Sequence, residues 1–250
     1  MKQLIKRLFY GLTGRPERAS GKAYLEWMRK RGIQVGEGTI VFDPQHIEVD
    51  DTRPELIKIG KNVLLHKGTT IISHDYASRA FMNRDSEFIP SHGRITIGDN
   101  VWLGQNVTIL KNVTIGDNVI IGYGSVVVRS IPSNSVAVGS PAKVICSFDD
   151  YQRRRREQFV AEAIDYAIAI YESGRTPRVS DFSDDYPAFV DGSNWHDYDF
   201  PYSRVFTKPG QFDKWKSTHK APFHGFDEFM QAVEMERIAR RKGDDAGQSR

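Results

Sequence analysis

The chain has 250 residues, of which 39% are hydrophobic and 27% are charged, and its formal net charge is +3. This small basic excess does not indicate a nucleic-acid partner, and no stretch reaches the roughly 18 consecutive apolar residues of a membrane span. The single cysteine, Cys146, excludes an intrachain disulfide and a multi-cysteine zinc site. No bound metal ion is expected. Residues 1–10 lack the apolar core of a signal peptide, and we therefore expect a cytoplasmic protein.

Residues 1–32 precede any repeat and are predicted to form an N-terminal helical extension. From there to residue 71, branched apolar residues follow a six-residue lattice that fails at a polar turn around Arg53 and Pro54. The members of this lattice are Val35, Val41, Ile47, Ile59, Leu65 and Ile71.

A polar segment, residues 73–94, interrupts the lattice. The distance from Ile71 to Ile97 is 26 residues, which is not a multiple of six, so the register shifts across the gap. We interpret the segment as a loop inserted between turns of a repeating structure. Insertions of this kind emerge on one side of a solenoid, and loops on a rigid scaffold commonly carry binding and catalysis.

The lattice is strongest from Ile95 to Ile145. Its apolar members are Ile97, Leu103, Ile109, Ile115, Ile121 and Val127. Glycine directly follows four of them, at Gly98, Gly104, Gly116 and Gly122. A helix has a period of 3.6 residues and a strand a period of 2, so a period of six requires a turn in each unit. We therefore predict an all-β solenoid whose glycines lie where a bend excludes Cβ or needs positive φ, with a β-meander as the alternative.

The C-terminal extension, residues 147–250, lacks the repeat. An apolar pattern from Phe159 to Tyr171 predicts an amphipathic helix. The four consecutive arginines at 153–156 are interpreted as a solvated or subunit-contacting face of that helix, although phosphates or an anionic membrane are the alternative. Residues 172–225 show no period and are expected to be irregular, and residues 226–241 predict a final helix.

The runs at 95–107, 121–127 and 138–145 resemble, nearly residue for residue, the hexapeptide-repeat acyltransferases. They are most similar to the branch that contains galactoside, maltose and xenobiotic acetyltransferases and many enzymes that acetylate bacterial surface polysaccharides. The resemblance covers residues 33–146, the predicted acyltransferase domain. It implies a left-handed parallel β-helix with about 18 residues per coil, and a homotrimer with active sites between subunits.

The same resemblance implies transfer of an acetyl group from acetyl-CoA to a hydroxyl of a sugar or polysaccharide. Two other functions stay open on the sequence. One is an N-acetyltransferase of a nucleotide-linked amino sugar, because the same base can deprotonate an ammonium group. The other is a hexapeptide-repeat scaffold without catalytic activity.

His74 stands where the last upstream repeat gives way to the inserted segment. Histidine, with an unperturbed pKa of about 6.5, is suited to take the proton of an attacking hydroxyl near neutral pH. The resemblance identifies His74 as this general base, and a loop histidine bonded to a backbone carbonyl is the alternative. His92 is the second candidate, and His66 is expected to be structural. The group that orients the imidazole, a carboxylate or a backbone carbonyl, is left open.

Covalent mechanisms are not favoured by the sequence. Ser73, His74 and Asp75 are successive residues, whose side chains point to opposite faces of an extended segment and cannot form a catalytic triad. Cys146 lies among apolar residues with no local base and is expected to be inert.

The resemblance also places residues around acetyl-CoA. Trp102 is expected to line the active site, and Gly104 is a candidate to offer its N–H to the oxyanion. Arg129 and Lys143 are expected to face the phosphates of the coenzyme. Val128 and Arg129 stand where the family commonly has threonine and lysine. The remaining expected contacts are Gln105, Tyr123, Val128 and Ala142.

Overall fold

The computed structural model describes residues 14–200 and 208–248. Residues 1–10, on which the expected absence of a signal peptide rests, lie outside this part. The described chain divides between Gln152 and Arg153 into two compact units, here called the coil unit and the C-terminal unit. In the described residues, no helix combines the length and the apolar character needed to cross a membrane. The α-helices are α1 (Gly21–Arg31), α2 (Ser78–Asp85), α3 (Phe148–Glu172), α4 (Gln211–Thr218) and α5 (Phe226–Gln248).

Short strands build the coil unit. They are β1 (Gln34–Val35), β2 (Ile40–Val41), β3 (Glu48–Val49), β4 (Ile57–Ile59), β5 (Leu64–Leu65), β6 (Thr70–Ile72), β7 (His74–Asp75), β8 (Ser91–His92), β9 (Ile95–Ile97), β10 (Val101–Leu103), β11 (Thr108–Leu110), β12 (Val113–Ile115), β13 (Val119–Ile121), β14 (Val126–Val127), β15 (Ser135–Val138) and β16 (Lys143–Ser147). The first sheet has the order β1-β4-β9-β12, the second β16-β15-β13-β10-β5-β2, and the third β14-β11-β6-β3. Apart from β7 and β8, strands β1 to β14 enter these three sheets in rotation, as a coiling chain requires.

Parallel pairing aligns equivalent repeat positions. Val101 pairs with Val119, and Ile109 pairs with Val127. Ile71 pairs with Ile109 although the inserted segment separates them in sequence. All five side chains are buried in one apolar cluster. The lattices on the two sides of the insertion therefore belong to one continuous core, and the predicted hexapeptide-repeat coil is confirmed.

The coil corners use asparagine as well as glycine. Positive φ angles occur at Asn62, Asn100, Asn106, Asn112, Asn118 and Asn134. The four glycines of the repeat have no positive φ, so the first of the two expected reasons, exclusion of Cβ, applies to them. They are needed for close approach, because a Cβ atom on Gly98 would lie 2.7 Å from the carbonyl carbon of Gly116 on the next coil. Asparagine takes the left-handed conformation because its short polar side chain tolerates it.

Helix α1 covers the first coil. The hydroxyl of Ser20 caps its N-terminus by accepting a hydrogen bond from the N–H of Ala23 at 3.1 Å. The helix ends at Gly32, whose φ of 103° suits only glycine well. Tyr24 and Met28 bury their side chains in the apolar cluster of the coils. The helix is therefore defined by its two caps and fixed to the coil by its buried face.

The inserted segment, predicted at 73–94, fills the interval between β6 and β9. It starts and ends in a two-residue antiparallel ladder, in which His74 lies opposite His92 and Asp75 lies opposite Ser91. Helix α2 occupies the interval between these strands. The insertion is therefore a closed hairpin whose first residue is His74.

The outward faces of the three sheets differ in polarity. Paired outward residues of the first sheet are Gln34, Lys58, Thr96 and Thr114. Those of the third sheet are Glu48, Thr70, Thr108 and Val126, together with the apolar pair Ile72 and Leu110 at the end of β6 and β11. Those of the second sheet are Ile40, Leu64, Trp102 and Ile120. Trp102 is exposed, and Ile40, Leu64 and Ile120 are half-buried. An accessible row made entirely of apolar residues is typical of a surface that another molecule covers.

The C-terminal unit has its own aromatic core. The rings of Phe182 and Phe229 are fully buried, with centroids 5.2 Å apart. An ion pair of 2.7 Å between Arg240 and Asp165 joins α5 to α3. The segment 172–225 is not wholly irregular, because it contains α4 and short 3-10 helices.

Candidate active site

The carboxylate of Asp50 organises the end of the third sheet. Asp50 follows β3, and its side chain is only 4% exposed. Thr52 donates its N–H and its hydroxyl to one carboxylate oxygen at 3.0 and 2.7 Å. Ser73 donates its N–H at 3.2 Å, and also its hydroxyl, to the other oxygen. The Nδ1 atom of His74 lies 2.5 Å from that second oxygen. Asp50 is therefore held from both sides and in turn holds the His74 imidazole.

The protonation of this pair follows from the surroundings of Asp50. Burial raises the pKa of Asp50, but hydrogen bonds from Ser73, Thr52 and His74 outweigh burial and hold the pKa well below its ordinary value. The carboxylate is therefore ionised at neutral pH and can only accept hydrogen bonds. Nδ1 of His74 must consequently carry the proton, which leaves the lone pair on Nε2. This is the tautomer that a general base requires.

His74 borders a cavity of about 870 Å³. Its side chain is 13% exposed, and the ring of Tyr76 meets it edge-on at a centroid distance of 4.9 Å. The opposite wall comes from α1 and the segment before it. The lining residues from that wall are Gly14, Arg15, Glu17, Arg18, Tyr24, Trp27 and Arg31. The cavity has the size and the mixed aromatic and polar lining of a small-molecule site.

The other two candidate histidines lack this arrangement. His92 is exposed and pairs with His74 through the backbone of the hairpin. The imidazole of His66 stacks on Phe42 within the coils, at a centroid distance of 5.4 Å. Among the described residues, only His74 combines a buried carboxylate partner with a position on the cavity.

Lys111 fastens the hairpin that begins at His74. It follows β11, and its ammonium group donates hydrogen bonds to the carboxylate of Asp75 and to the hydroxyl of Ser91. The bond from Lys111 is the largest cause that lowers the pKa of Asp75 to about 2, with smaller contributions from Ala77 N–H and Ser91. The carboxylate of Asp75 is therefore ionised at neutral pH.

The residues expected around acetyl-CoA lie elsewhere on the coil unit. Trp102, Tyr123 and Val128 are 42%, 70% and 41% exposed. Of the rest, Gln105, Arg129 and Lys143 are exposed, and Ala142 is half-buried. None of these side chains lines the cavity at His74. Within one chain the structure therefore does not bring the expected coenzyme contacts to the candidate base.

The oxyanion role expected for Gly104 is wrong. Its N–H donates to the carbonyl oxygen of Ile121 at 2.8 Å, as part of the ladder between coils. A Cβ atom at this position would lie 2.8 Å from the backbone nitrogen of Tyr123, so the glycine is required by the spacing of the coils. Its amide is therefore already committed to the scaffold and cannot also bind an oxyanion.

Comparison with known proteins agrees with the fold and the repeat. The family "Bacterial transferase hexapeptide (six repeats)" matches residues 94–129. Protein CapG of Staphylococcus aureus is 38% identical over 131 residues, which are 51% of this chain and 73% of CapG. The chain belongs to the hexapeptide-repeat acyltransferases.

This acyltransferase is also similar to two further proteins, one of which matches a smaller share of the chain and one of which is less identical in sequence. Galactoside O-acetyltransferase of Escherichia coli is 40% identical over 94 residues, or 38% of this chain and 45% of that enzyme. The crystal structure of a maltose O-acetyltransferase from Clostridium difficile 630 is 26% identical, with a TM-score of 0.39, and the match covers 58% of this chain and 87% of the other.

Sequence reasoning missed two residues of the candidate site, Asp50 and Lys111. Both occupy the end of the third sheet, where Val49 and Ile109 each pair with Ile71. A signal was present in the lattice, because aligning these strands would have placed Asp50 beside the residues that follow Ile71. The absence of an apolar residue at Arg53 interrupted the lattice and concealed this alignment.

Proposed function

We propose that the protein is an acetyl-CoA-dependent O-acetyltransferase that acts on a hydroxyl of a sugar or polysaccharide in the cytoplasm, with His74 as the general base. The observation that carries the proposal is the Asp50–His74 pair, with its protonated Nδ1, beside a cavity of about 870 Å³. Family membership supports acyl transfer, and the name of the galactoside O-acetyltransferase supports a sugar hydroxyl as acceptor.

The proposed chemistry needs one proton acceptor and no covalent enzyme intermediate. Nε2 of His74 takes the hydroxyl proton while the hydroxyl oxygen bonds to the thioester carbon. The carbon–sulfur bond then breaks, and the departing thiolate of coenzyme A accepts the proton from Nε2. Asp50 stabilises the imidazolium that exists between these proton transfers.

We further propose that the active site forms between subunits of a homotrimer whose coils wind left-handed. The support is the separation, in one chain, of His74 from the exposed Trp102 and Tyr123. The apolar outward row of the second sheet offers a surface for the neighbouring subunit, since the outward rows of the other sheets are largely polar. In such a trimer, the base of one subunit meets the second sheet of the next.

The coenzyme would lie along the coil corners, on residues that the structure leaves accessible. Tyr123, 70% exposed, presents its ring there, and its hydroxyl accepts a hydrogen bond from the side-chain amide of Asn106 at 2.9 Å. Arg129 and Lys143 would contact the phosphates, with Gln105, Val128 and Ala142 beside them. This exposed set fits an extended ligand that carries negative charge.

Acceptor screening with a histidine variant tests the proposal. Acetyl-CoA is incubated with maltose, a methyl galactoside, a capsular oligosaccharide and a nucleotide-linked amino sugar, and free thiol and acetylated product are quantified. The wild type is expected to acetylate a hydroxyl. His74→Ala should lower kcat by about 10² to 10⁴.

His92→Ala is the matched control, because His92 lies opposite His74 in the same hairpin but has no carboxylate partner among the described residues. It should retain turnover. Equal activity of wild type and His74→Ala would contradict the proposed base. Exclusive acetylation of the amino sugar nitrogen would replace the O-acetyltransferase by an N-acetyltransferase, and failure to bind acetyl-CoA in a calorimeter would favour a scaffold.

A further inference from the structure

One cation joins both strands of the hairpin to the coil that follows it. Lys111 bonds Asp75 on β7 and Ser91 on β8, and these two residues face each other across the ladder. Its backbone belongs to the turn after β11, one coil beyond the strand that leads into His74. The side chain therefore bridges the insertion and the rigid scaffold at a single point.

The residues that Lys111 bonds lie next to the candidate base in the hairpin. The next pair of the ladder is His74 and His92, and the carbonyl of Ser73 accepts the N–H of Gly93 at 2.8 Å. The second carboxylate oxygen of Asp75 accepts the N–H of Ala77 at 3.0 Å, where α2 begins. Any shift of Asp75 would consequently displace the main chain on the C-terminal side of the His74 imidazole.

We propose that Lys111 is a positioning residue for His74, holding its backbone from the following coil while Asp50 holds its ring from the preceding coil. The inference rests on the proposed function of His74. A two-residue ladder is too short to keep its own geometry, so an external anchor is required. Lys111 supplies that anchor to both strands.

The exposure of the ion pair indicates a local role. The side chains of Lys111 and Asp75 are 27% and 41% exposed. Ion pairs as accessible as this one contribute little to global stability, so removing the ammonium should leave the coils folded. Misplacement of a catalytic group by about 1 Å can nevertheless lower the rate about 100-fold. Loss of Lys111 should thus affect turnover far more than unfolding.

The test compares Lys111→Met, which keeps the length of the side chain, with Lys111→Arg, which keeps its charge. Lys58→Met is the matched control, since Lys58 is an exposed lysine on the outward face of the first sheet. With the acceptor from the screen, Lys111→Met should lower kcat by about 10- to 100-fold and leave the KM for acetyl-CoA unchanged. Lys111→Arg should recover most of kcat, and Lys58→Met should match the wild type.

Two readouts do not depend on the acceptor. Hydrogen exchange of residues 75–92 should become faster in Lys111→Met than in Lys58→Met, and the ¹⁵N signals of the His74 ring should show a less uniform tautomer. A kcat within about twofold of wild type, or unchanged exchange and ring signals, would overturn the positioning role. If the wild type acetylated nothing, the proposed function would fail, and these two readouts would still decide whether Lys111 holds the hairpin.

Discussion

The corner at Asp50 and His74 differs from the outward face of the second sheet. The contacts of the corner are formed within one chain, whereas the apolar residues of the face are left partly uncovered. At the corner, Asp50 has all its partners within the chain, and the imidazole is oriented by it. On the second sheet, Trp102 is 42% exposed in a row that contains no polar residue. A folded chain can therefore orient the proposed base by itself, but it leaves an apolar surface of the kind that a second molecule typically covers.

The largest effect is expected from a substitution that disrupts the outward face of the second sheet. Ile120→Lys places a charge beside Trp102 in the paired row of β10 and β13. Lysine is tolerated on the surface of a free subunit but not in an apolar contact, because burying an unpaired charge is costly. We expect monomers in sedimentation equilibrium and loss of nearly all transfer activity.

Thr114→Lys is the control for this change, since Thr114 occupies an exposed outward position on the first sheet. It should leave both assembly and turnover intact. Dissociation caused by Thr114→Lys, or a fully assembled Ile120→Lys, would show that the apolar row is not the contact surface.

A smaller effect is expected at the corner. Asp50→Asn keeps the shape of the side chain but removes the charge that fixes the proton on Nδ1 of His74. Steady-state kinetics should show kcat lowered by about 10² or more, with assembly and the KM for acetyl-CoA unchanged. An unchanged kcat would mean that Asp50 serves only the fold.

The coil could be predicted from the sequence because its signal is periodic and local. Ile97, Ile109 and Val127 recur at multiples of six, and burial of each follows from the stacking of coils. His74 could be proposed as the base because the resemblance and the break in the lattice coincide at its position. Both inferences rest on residues that are near one another in sequence.

The residues that hold the His74 ring and its hairpin could not be predicted from local sequence. Asp50 is 24 residues from His74, and Lys111 is 36 residues from Asp75, so each contact depends on how coils align. The role of Gly104 failed for a related reason, because its N–H is engaged by Ile121 on the adjacent coil. A local sequence motif shows neither which coils lie side by side nor which backbone groups bond between them.

Mixing two inactive variants tests the proposed composite site most directly. His74→Ala retains the second-sheet face, and Trp102→Ala retains the base. If the site combines these surfaces from two subunits, trimers formed by co-refolding equal amounts of the variants should recover about a quarter of wild-type turnover. If both groups act within one chain, the mixed trimers should be no more active than the separate variants, and that result would contradict an active site between subunits.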